Sequence, residues 1–165
     1  FTVTFTGNGK VSKGAQEVFR QLPHRYVTPE ELRSLNDSGR FSNKEVYLCE
    51  VTGEHMVRRR GGGAFDKQEY YSAPDRYEAT FQDGVLPFST MVVNCMYWDP
   101  RFPRLFTGED LRRLAAEGTD RLLAVGDITC DANGSVPTKK YTTVESPFFL
   151  YDAVKDAVVD GVEGP

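Results

Sequence analysis

The sequence contains few of the residues that most often perform chemistry in proteins. It has 3 cysteines, 2 histidines and 1 tryptophan among 165 residues. Cys49, Cys95 and Cys130 are widely spaced and form no CxxC pair, so neither a disulfide framework nor a zinc site is expected, and a reducing compartment is the default. His24 and His55 have no motif around them. We therefore predict no catalytic residue and no metal ligand in this chain.

The sequence also lacks long apolar runs and an excess of positive charge. No stretch of about 18 apolar residues occurs, so no membrane span is predicted. The formal net charge is −4, and the only concentrated basic stretch is Arg58 to Arg60, which argues against binding to nucleic acid or to an anionic membrane. The length suits one domain with a proper core. Because there is no initiator methionine and Phe1 already lies in a strand-like run, we expect residues 1–165 to be a piece of a longer protein.

The apolar pattern predicts strands that alternate with helices. This order is typical of an α/β protein with an open, mostly parallel sheet flanked by helices. The first helix should begin near Ser12 and end at Pro23, with Ala15, Val18, Phe19 and Leu22 on its apolar face. Two further helices are predicted after the capping residues Thr28 and Thr107, the second of them ending at Gly118. The predicted strands are FTVTF, HRYV, EVYLCEV, TMVVNCMYW, RLLAVGDITCD and, as a strand or hairpin, YTTVESPFFLYD.

Between residues 36 and 82 the pattern is less regular. EVYLCEV is followed by a charged, aromatic and glycine-rich stretch. We interpret this region as an insertion into the α/β fold, with a helical turn around residues 67–71. TMVVNCMYW and RLLAVGDITCD, by contrast, are apolar enough to predict strands that are buried in the sheet.

A glycine-rich segment between the first strand and the first helix indicates a nucleotide site. The segment from Gly7 to Gly14 reads GxGxxxxG, and a strand, a glycine loop and a helix are the context of a Rossmann dinucleotide-binding site. Glycines let the backbone approach a pyrophosphate, and Lys10 and Lys13 would add positive charge. A phosphate-binding P-loop is rejected because Ala15 and Gln16 follow the last glycine. The alternative is a tight turn with no ligand.

The end of the second predicted strand bears on which dinucleotide would bind. Enzymes that use NAD place an acid beside the adenosine ribose. Here Thr28 stands at that point with Arg25 nearby, which favours the 2′-phosphate of NADP(H), although Glu30 follows two residues later.

Two further predicted strands end in polar residues, which should face the same crevice because the carboxyl ends of parallel strands share one edge. For Asp127 and Asp131, a turn-forming role is the alternative. The predicted cofactor-binding residues are Gly7, Asn8, Gly9, Lys10, Val11, Ser12, Gly14, Thr28, Asn94, Cys95, Met96, Tyr97, Asp127 and Thr129.

Longer segments of the sequence are similar to a known family. The sequence resembles the lysine–ketoglutarate reductase half of the bifunctional lysine-degrading enzymes, the aminoadipic semialdehyde synthases, and the plant forms in particular. The resemblance is carried by FTGNGKVSKGAQEVFRQLPH, VVNCMYWDPRFPRL, DITCDANGSV and SPFFLYD. It extends over nearly the whole chain and departs most between residues 36 and 63 and in GSVPTKKYTTVE.

The resemblance implies a function. Such enzymes reductively condense L-lysine with 2-oxoglutarate to saccharopine, using NADPH. Their proton-transferring lysine and histidine lie in another, upstream domain, and no position here matches them. The chain would then be the Rossmann-like cofactor domain, inactive alone, of a cytoplasmic or alternatively mitochondrial enzyme that could form a homo-oligomer. The competing interpretation is a regulatory or interaction module that has this fold without binding a nucleotide.

Overall fold

The structure is a computed structural model that describes residues 1–119, 121–131, 133–137 and 140–159. Within these residues, a five-stranded parallel sheet has the strand order β2-β3-β1-β6-β7. Its strands are β1 (Thr2–Thr6), β2 (His24–Tyr26), β3 (Val46–Val51), β6 (Met91–Asn94) and β7 (Ala124–Asp127). Helices flank the sheet, so the predicted Rossmann-like α/β class is confirmed.

The remaining elements are helices and two antiparallel hairpins. The hairpins consist of β4 (Val57–Arg59) with β5 (Tyr77–Ala79), and of β8 (Leu150–Asp152) with β9 (Ala157–Val159). The helices are α1 (Lys10–Phe19), α2 (Pro29–Ser38), α3 (Gly53–Met56), α4 (Lys67–Ser72), α5 (Phe81–Gly84) and α6 (Gly108–Ala116). Two short 3₁₀ helices span Pro74–Arg76 and Leu86–Phe88.

The order of the strands differs from a simple reading of the sequence. β2 is second along the chain but pairs with β3 and lies at the edge of the sheet. β3 is the strand that pairs with β1, from Thr2 opposite Tyr47 to Thr6 opposite Val51. The carboxyl end of β3, rather than that of β2, therefore lies beside the glycine loop.

The two faces of the sheet are buried by different parts of the chain. On one face, Val3, Phe5, Leu48 and Val93 pack under α1, where Phe19 meets Phe5 edge to face at 5.4 Å between ring centroids. The opposite face packs against a larger core to which α2, α6 and the insertion contribute. Buried side chains of this core include Leu32, Tyr77, Phe81, Leu86, Phe106 and Leu114. Burial of both faces explains why β1 is inaccessible along its whole length.

The predicted caps of α2 and α6 are confirmed. Thr28 accepts a hydrogen bond from the N–H of Glu31 and forms a capping box with it, and Thr107 does the same with Asp110. Gly118 follows α6 with φ +66°, a conformation that favours glycine. Local side-chain chemistry at these helix ends is therefore sufficient to locate them.

The prediction for the apolar face of α1 was wrong in part. Val18 and Leu22 are 69% and 49% exposed, whereas Ser12 and Gln16 are buried. Gln16 is satisfied because it donates to Ser12 at 3.0 Å and to Glu50 at 2.8 Å. A buried polar pair thus replaces part of the apolar face that helical spacing predicted.

Three strand predictions also need correction. β6 ends at Asn94, so Cys95 to Trp98 form a loop rather than a continuation of the strand. β7 is an edge strand in which Val125 is 41% exposed, so it is not buried as its apolar sequence predicted. Of the last predicted element, YTTVESPFFLYD, only Leu150–Asp152 form a strand, and this strand pairs with β9 beyond the predicted segment.

We expect the core to depend on contacts beneath α1. Replacing Leu48, which is fully buried between the sheet and this helix, with alanine should lower the free energy of unfolding by about 2–5 kcal/mol because a cavity remains. Val18→Ala, on the exposed side of α1, should change it by less than about 0.5 kcal/mol. Urea unfolding followed by circular dichroism measures both values, and equal losses would contradict the packing described here.

Candidate functional site

The glycine loop, which in the structure consists of Gly7, Asn8 and Gly9, connects β1 to α1 at the carboxyl edge of the sheet. Gly7 has φ +79°, which a side chain would strain, and its N–H donates to the carbonyl of Val51 at 2.7 Å. Gly9 is the residue before α1, and no side chain caps the helix there. The first N–H groups of a helix have no partner within it. The loop therefore leaves an uncapped, electropositive helix end with no acidic residue in its first turn.

A cavity of about 450 Å³ opens beside this loop. It lies at the carboxyl ends of β1, β3 and β6, where ligands bind in open α/β sheets. We call it the carboxyl-edge cavity. It is lined by Gly7, Asn8, Gly9, Thr52, Gly53, Glu54, Met56, Phe65, Lys67, Tyr70, Tyr71, Cys95, Met96, Tyr97 and Phe102.

A second cavity of about 480 Å³ lies between the carboxyl ends of α2 and α6. Its lining includes the Asp83–Arg113 ion pair, with 2.6 Å between the charged atoms. None of the cofactor-binding residues predicted from the sequence lines it. The carboxyl-edge cavity is therefore the better candidate for a ligand site.

The insertion supplies an aromatic wall to the carboxyl-edge cavity. Tyr70 lies 5.2 Å from both Tyr77 and Phe102, measured between ring centroids, in edge-to-face geometry. Phe65 packs against the same tyrosines and covers Gly53 so closely that a Cβ there would lie 2.5 Å from the phenyl ring. A larger residue there would require the Phe65 ring to move. The wall and the turn after β3 are thus held against each other.

Ionic hydrogen bonds fix the base of this wall. The Glu69 carboxylate accepts hydrogen bonds from Arg59 at 2.9 Å, Arg76 at 2.8 Å and the Tyr77 hydroxyl at 2.9 Å. These donors, above all Arg59, lower the pKa of Glu69 to about 2. Because Tyr70 is next in the chain, the network fixes the helix that presents the aromatic wall.

The polar residues at the ends of β6 and β7 bond mainly to each other. The Asn94 side-chain amide donates to Asp127 at 2.8 Å, Ser135 at 2.9 Å and Thr129 at 3.3 Å. Its carbonyl oxygen accepts from Thr6 at 3.0 Å. Asn94 is fully buried, so it joins β1, β6 and the following segments rather than projecting into the cavity.

The structure brings together only part of the predicted set. Gly7, Asn8, Gly9, Cys95, Met96 and Tyr97 line the cavity, and the other predicted residues do not. Lys10, Val11 and Ser12 form the first turn of α1, Gly14 lies within that helix, and a Cβ on Gly14 would meet nothing within 4 Å. Asn94, Asp127 and Thr129 lie in the polar network. Thr28 caps α2, with β3 between it and β1.

Sequence reasoning missed the residues after β3 and in the insertion. Thr52, Gly53 and Glu54 follow the strand that pairs with β1, and Lys67 and Tyr70 belong to α4. The only signal for the first group was the presence of polar residues after EVYLCEV, and strand order had to be known to use it.

Burial makes the cavity cysteine a poor nucleophile. Cys95 is half-buried, and loss of solvation raises the pKa of its thiol to about 11. Burial also raises the pKa of the Cys49 thiol, to about 12. Both thiols are therefore protonated at neutral pH, the less reactive form of cysteine.

Comparison with known proteins places this geometry in context. The chain is 37% identical over 171 residues to alpha-aminoadipic semialdehyde synthase from Arabidopsis thaliana, an alignment that covers 97% of the chain and 16% of that protein. It is 37% identical over 177 residues to the mitochondrial alpha-aminoadipic semialdehyde synthases of Bos taurus and Mus musculus, covering 99% of the chain and 19% of each. The predicted resemblance is confirmed. The chain spans less than a fifth of the length of these relatives.

No family model matches the sequence. Within the described residues, no helix is long and apolar enough to cross a membrane. The same residues contain no group of three histidine, cysteine or acidic side chains arranged to hold a metal ion.

We expect the hydrogen bonds of Glu69 to make the stability of the fold depend on pH in the acid range. A carboxylate with a lowered pKa stabilises the fold above its ordinary value of 4.5, and this contribution is lost as the pH falls from there towards about 2. Glu69→Gln should therefore flatten the decline of the urea midpoint between about pH 5 and pH 2.5. Glu17→Gln, at an exposed site on α1, is the control. An unchanged profile for Glu69→Gln would contradict this assignment.

Proposed function

We propose that the chain is the NADP(H)-binding domain of an oxidoreductase that reductively condenses L-lysine with 2-oxoglutarate to saccharopine. The observation that carries the proposal is the position of the glycine loop. It joins the central strand to an uncapped helix end at the rim of the carboxyl-edge cavity. The similarity to alpha-aminoadipic semialdehyde synthases over nearly the whole chain supports the same reading.

The residues present fit a dinucleotide. A Cβ on Gly9 would meet no atom within 4 Å, so the space in front of α1 is open to a pyrophosphate. Gly7 lies close to the loop after β6, since a Cβ there would be 3.9 Å from that of Met96. The cavity beside them combines apolar and aromatic side chains with a few polar groups, the usual composition of a small-molecule site.

Each part of the chain would have a separate task in binding. The N–H groups at the start of α1 would hold the pyrophosphate, and the aromatic wall would pack against apolar parts of the ligand. When bound, NADPH would supply the hydride for the reduction. Cys95 is not set up to transfer protons, because its pKa is high. Nor are Asn94 and Asp127, which are hydrogen-bonded to each other. We therefore assign proton transfer, and binding of lysine and 2-oxoglutarate, to a further domain.

The second candidate function is a regulatory or interaction module without nucleotide binding. The polar network of Asn94, Asp127 and Thr129 favours it, because hydrogen bonds within the chain already use the groups expected on the nicotinamide side.

As to location, the names of the cow and mouse relatives include the word mitochondrial. This supports the mitochondrial alternative over the cytoplasm.

Substitutions on either side of the first turn of α1 test the nucleotide site. Gly9→Val should weaken NADPH binding by at least about 100-fold, because its side chain would occupy the space in front of the helix where the pyrophosphate must lie. Gly14→Val is the matched control, since Gly14 lies within α1 and does not line the cavity, and it should change affinity less than about threefold. Quenching of protein fluorescence measures both. Unchanged affinity in a folded Gly9→Val protein would refute the site.

The division of labour between domains is tested by activity. The chain alone should oxidise no NADPH in the presence of L-lysine and 2-oxoglutarate, because we assign the groups that transfer protons to a further domain. Intact Arabidopsis alpha-aminoadipic semialdehyde synthase, assayed in parallel by absorbance at the NADPH wavelength, is the positive control. Turnover by the isolated chain at a comparable rate would show that the proton-transferring groups lie within it.

A further inference from the structure

We propose that the adenosine ribose binds at the turn after β3 and not at Thr28. There the negative charge of Glu54 would repel a 2′-phosphate, and the positive charge of Lys67 would attract it. This inference rests on the proposed dinucleotide-binding function. It assigns the choice between NADPH and NADH to two charged residues that the cofactor pattern of the sequence did not single out.

The first step is topological. In a Rossmann site, the residue that meets the ribose comes from the end of the strand beside the glycine loop, because only that strand brings its end within reach of the sugar. Here that strand is β3, and the N–H of Gly7 is bonded to the carbonyl of Val51, its last residue. Thr28 follows β2, which is separated from β1 by β3.

The second step concerns the groups at this turn. Thr52 and Glu54 both line the cavity. The Thr52 hydroxyl donates to a Glu54 carboxylate oxygen at 3.1 Å, while the Thr52 N–H donates to Nδ1 of His55 at 3.1 Å. These bonds hold the carboxylate at the end of β3, where it can accept from ribose hydroxyls. A phosphate on the 2′ position would meet a negative charge there.

The third step concerns a second charged residue in the lining of the cavity. Lys67 is the first residue of α4, whose backbone is capped by Asp66 through the N–H groups of Gln68 and Glu69. It is the only lysine or arginine among the described residues that line the cavity, and no ion pair to it is found among them. Its ammonium group is therefore available for a phosphate, whereas the nearby Arg59 and Arg76 are both committed to Glu69.

The charges act on NADPH and much less on NADH, since only NADPH carries the 2′-phosphate. One unit charge about 4 Å from another contributes about 1 kcal/mol even in a fully aqueous dielectric, which is about fivefold in affinity. Removing the negative charge should therefore favour NADPH, and removing the positive charge should favour NADH. Both effects should shrink as salt is added.

The experiment measures dissociation constants of NADPH and NADH for the 165-residue chain by isothermal titration calorimetry. Glu54→Gln should raise the ratio of the NADH constant to the NADPH constant by at least about fivefold, and Lys67→Gln should lower it by a similar factor. Thr28→Asp should leave this ratio within about twofold, because its carboxylate would lie beyond β3. Adenosine 2′,5′-bisphosphate and 5′-AMP serve as smaller probes of the same contrast.

The outcomes separate this inference from the proposed function. If both nucleotides bind but the ratio follows Thr28→Asp and ignores Glu54→Gln and Lys67→Gln, the inference is overturned and the dinucleotide site stands. If the unsubstituted chain binds neither nucleotide, the proposed function fails and the inference with it. Circular dichroism of each variant shows that the fold is retained, and neither position is in the core, since Glu54 and Lys67 are both exposed.

Discussion

The pairing of β1 with β3 on one side and β6 on the other is the constraint on which the candidate site depends. All five residues of β1 are buried, and its carboxyl end meets the ends of both neighbours. The glycine loop, the turn after β3 and the loop after β6 are brought together only by this arrangement. A shift of one residue in either pairing would turn every side chain of that strand to the opposite face, so the two packed faces hold the register.

Polar groups inside the sheet reinforce the same pairing. Thr4 bonds to Ser89 at 2.7 Å, and Thr6 bonds both to Asn94 and to the N–H of Cys95. Buried polar groups cost free energy unless they are paired, and these side chains pair β1 with residues in and beside β6, which are more than 80 positions away in the chain. They therefore favour one strand arrangement over others of similar hydrophobicity. The same hydrogen bonds explain why a polar residue predicted to bind a cofactor, Asn94, has a structural role here.

The insertion forms part of the lining of the carboxyl-edge cavity. It places an aromatic wall opposite the glycine loop and contributes both to the core of the sheet and to the cavity. Its ionic anchor at Glu69 has two arginine partners and one tyrosine partner. A region with weak periodicity in the sequence is thus an ordered part of the site, held by contacts between residues of different secondary-structure elements.

The sequence by itself determined the elements and their local chemistry. Alternating apolar runs located the parallel strands, Thr28 and Thr107 located two helix starts, and the glycine loop located the rim of the cavity, because each signal acts over only a few residues. The tertiary structure decided the order of the strands, the hydrogen bonds between Asn94 and other side chains, and the exposure of Val18. They depend on pairing between segments that are tens of residues apart, and no local pattern encodes which strand lies beside β1. The strand end beside the glycine loop is therefore the one before Thr52 and not the one before Thr28, since only the folded sheet shows which strand end reaches the loop.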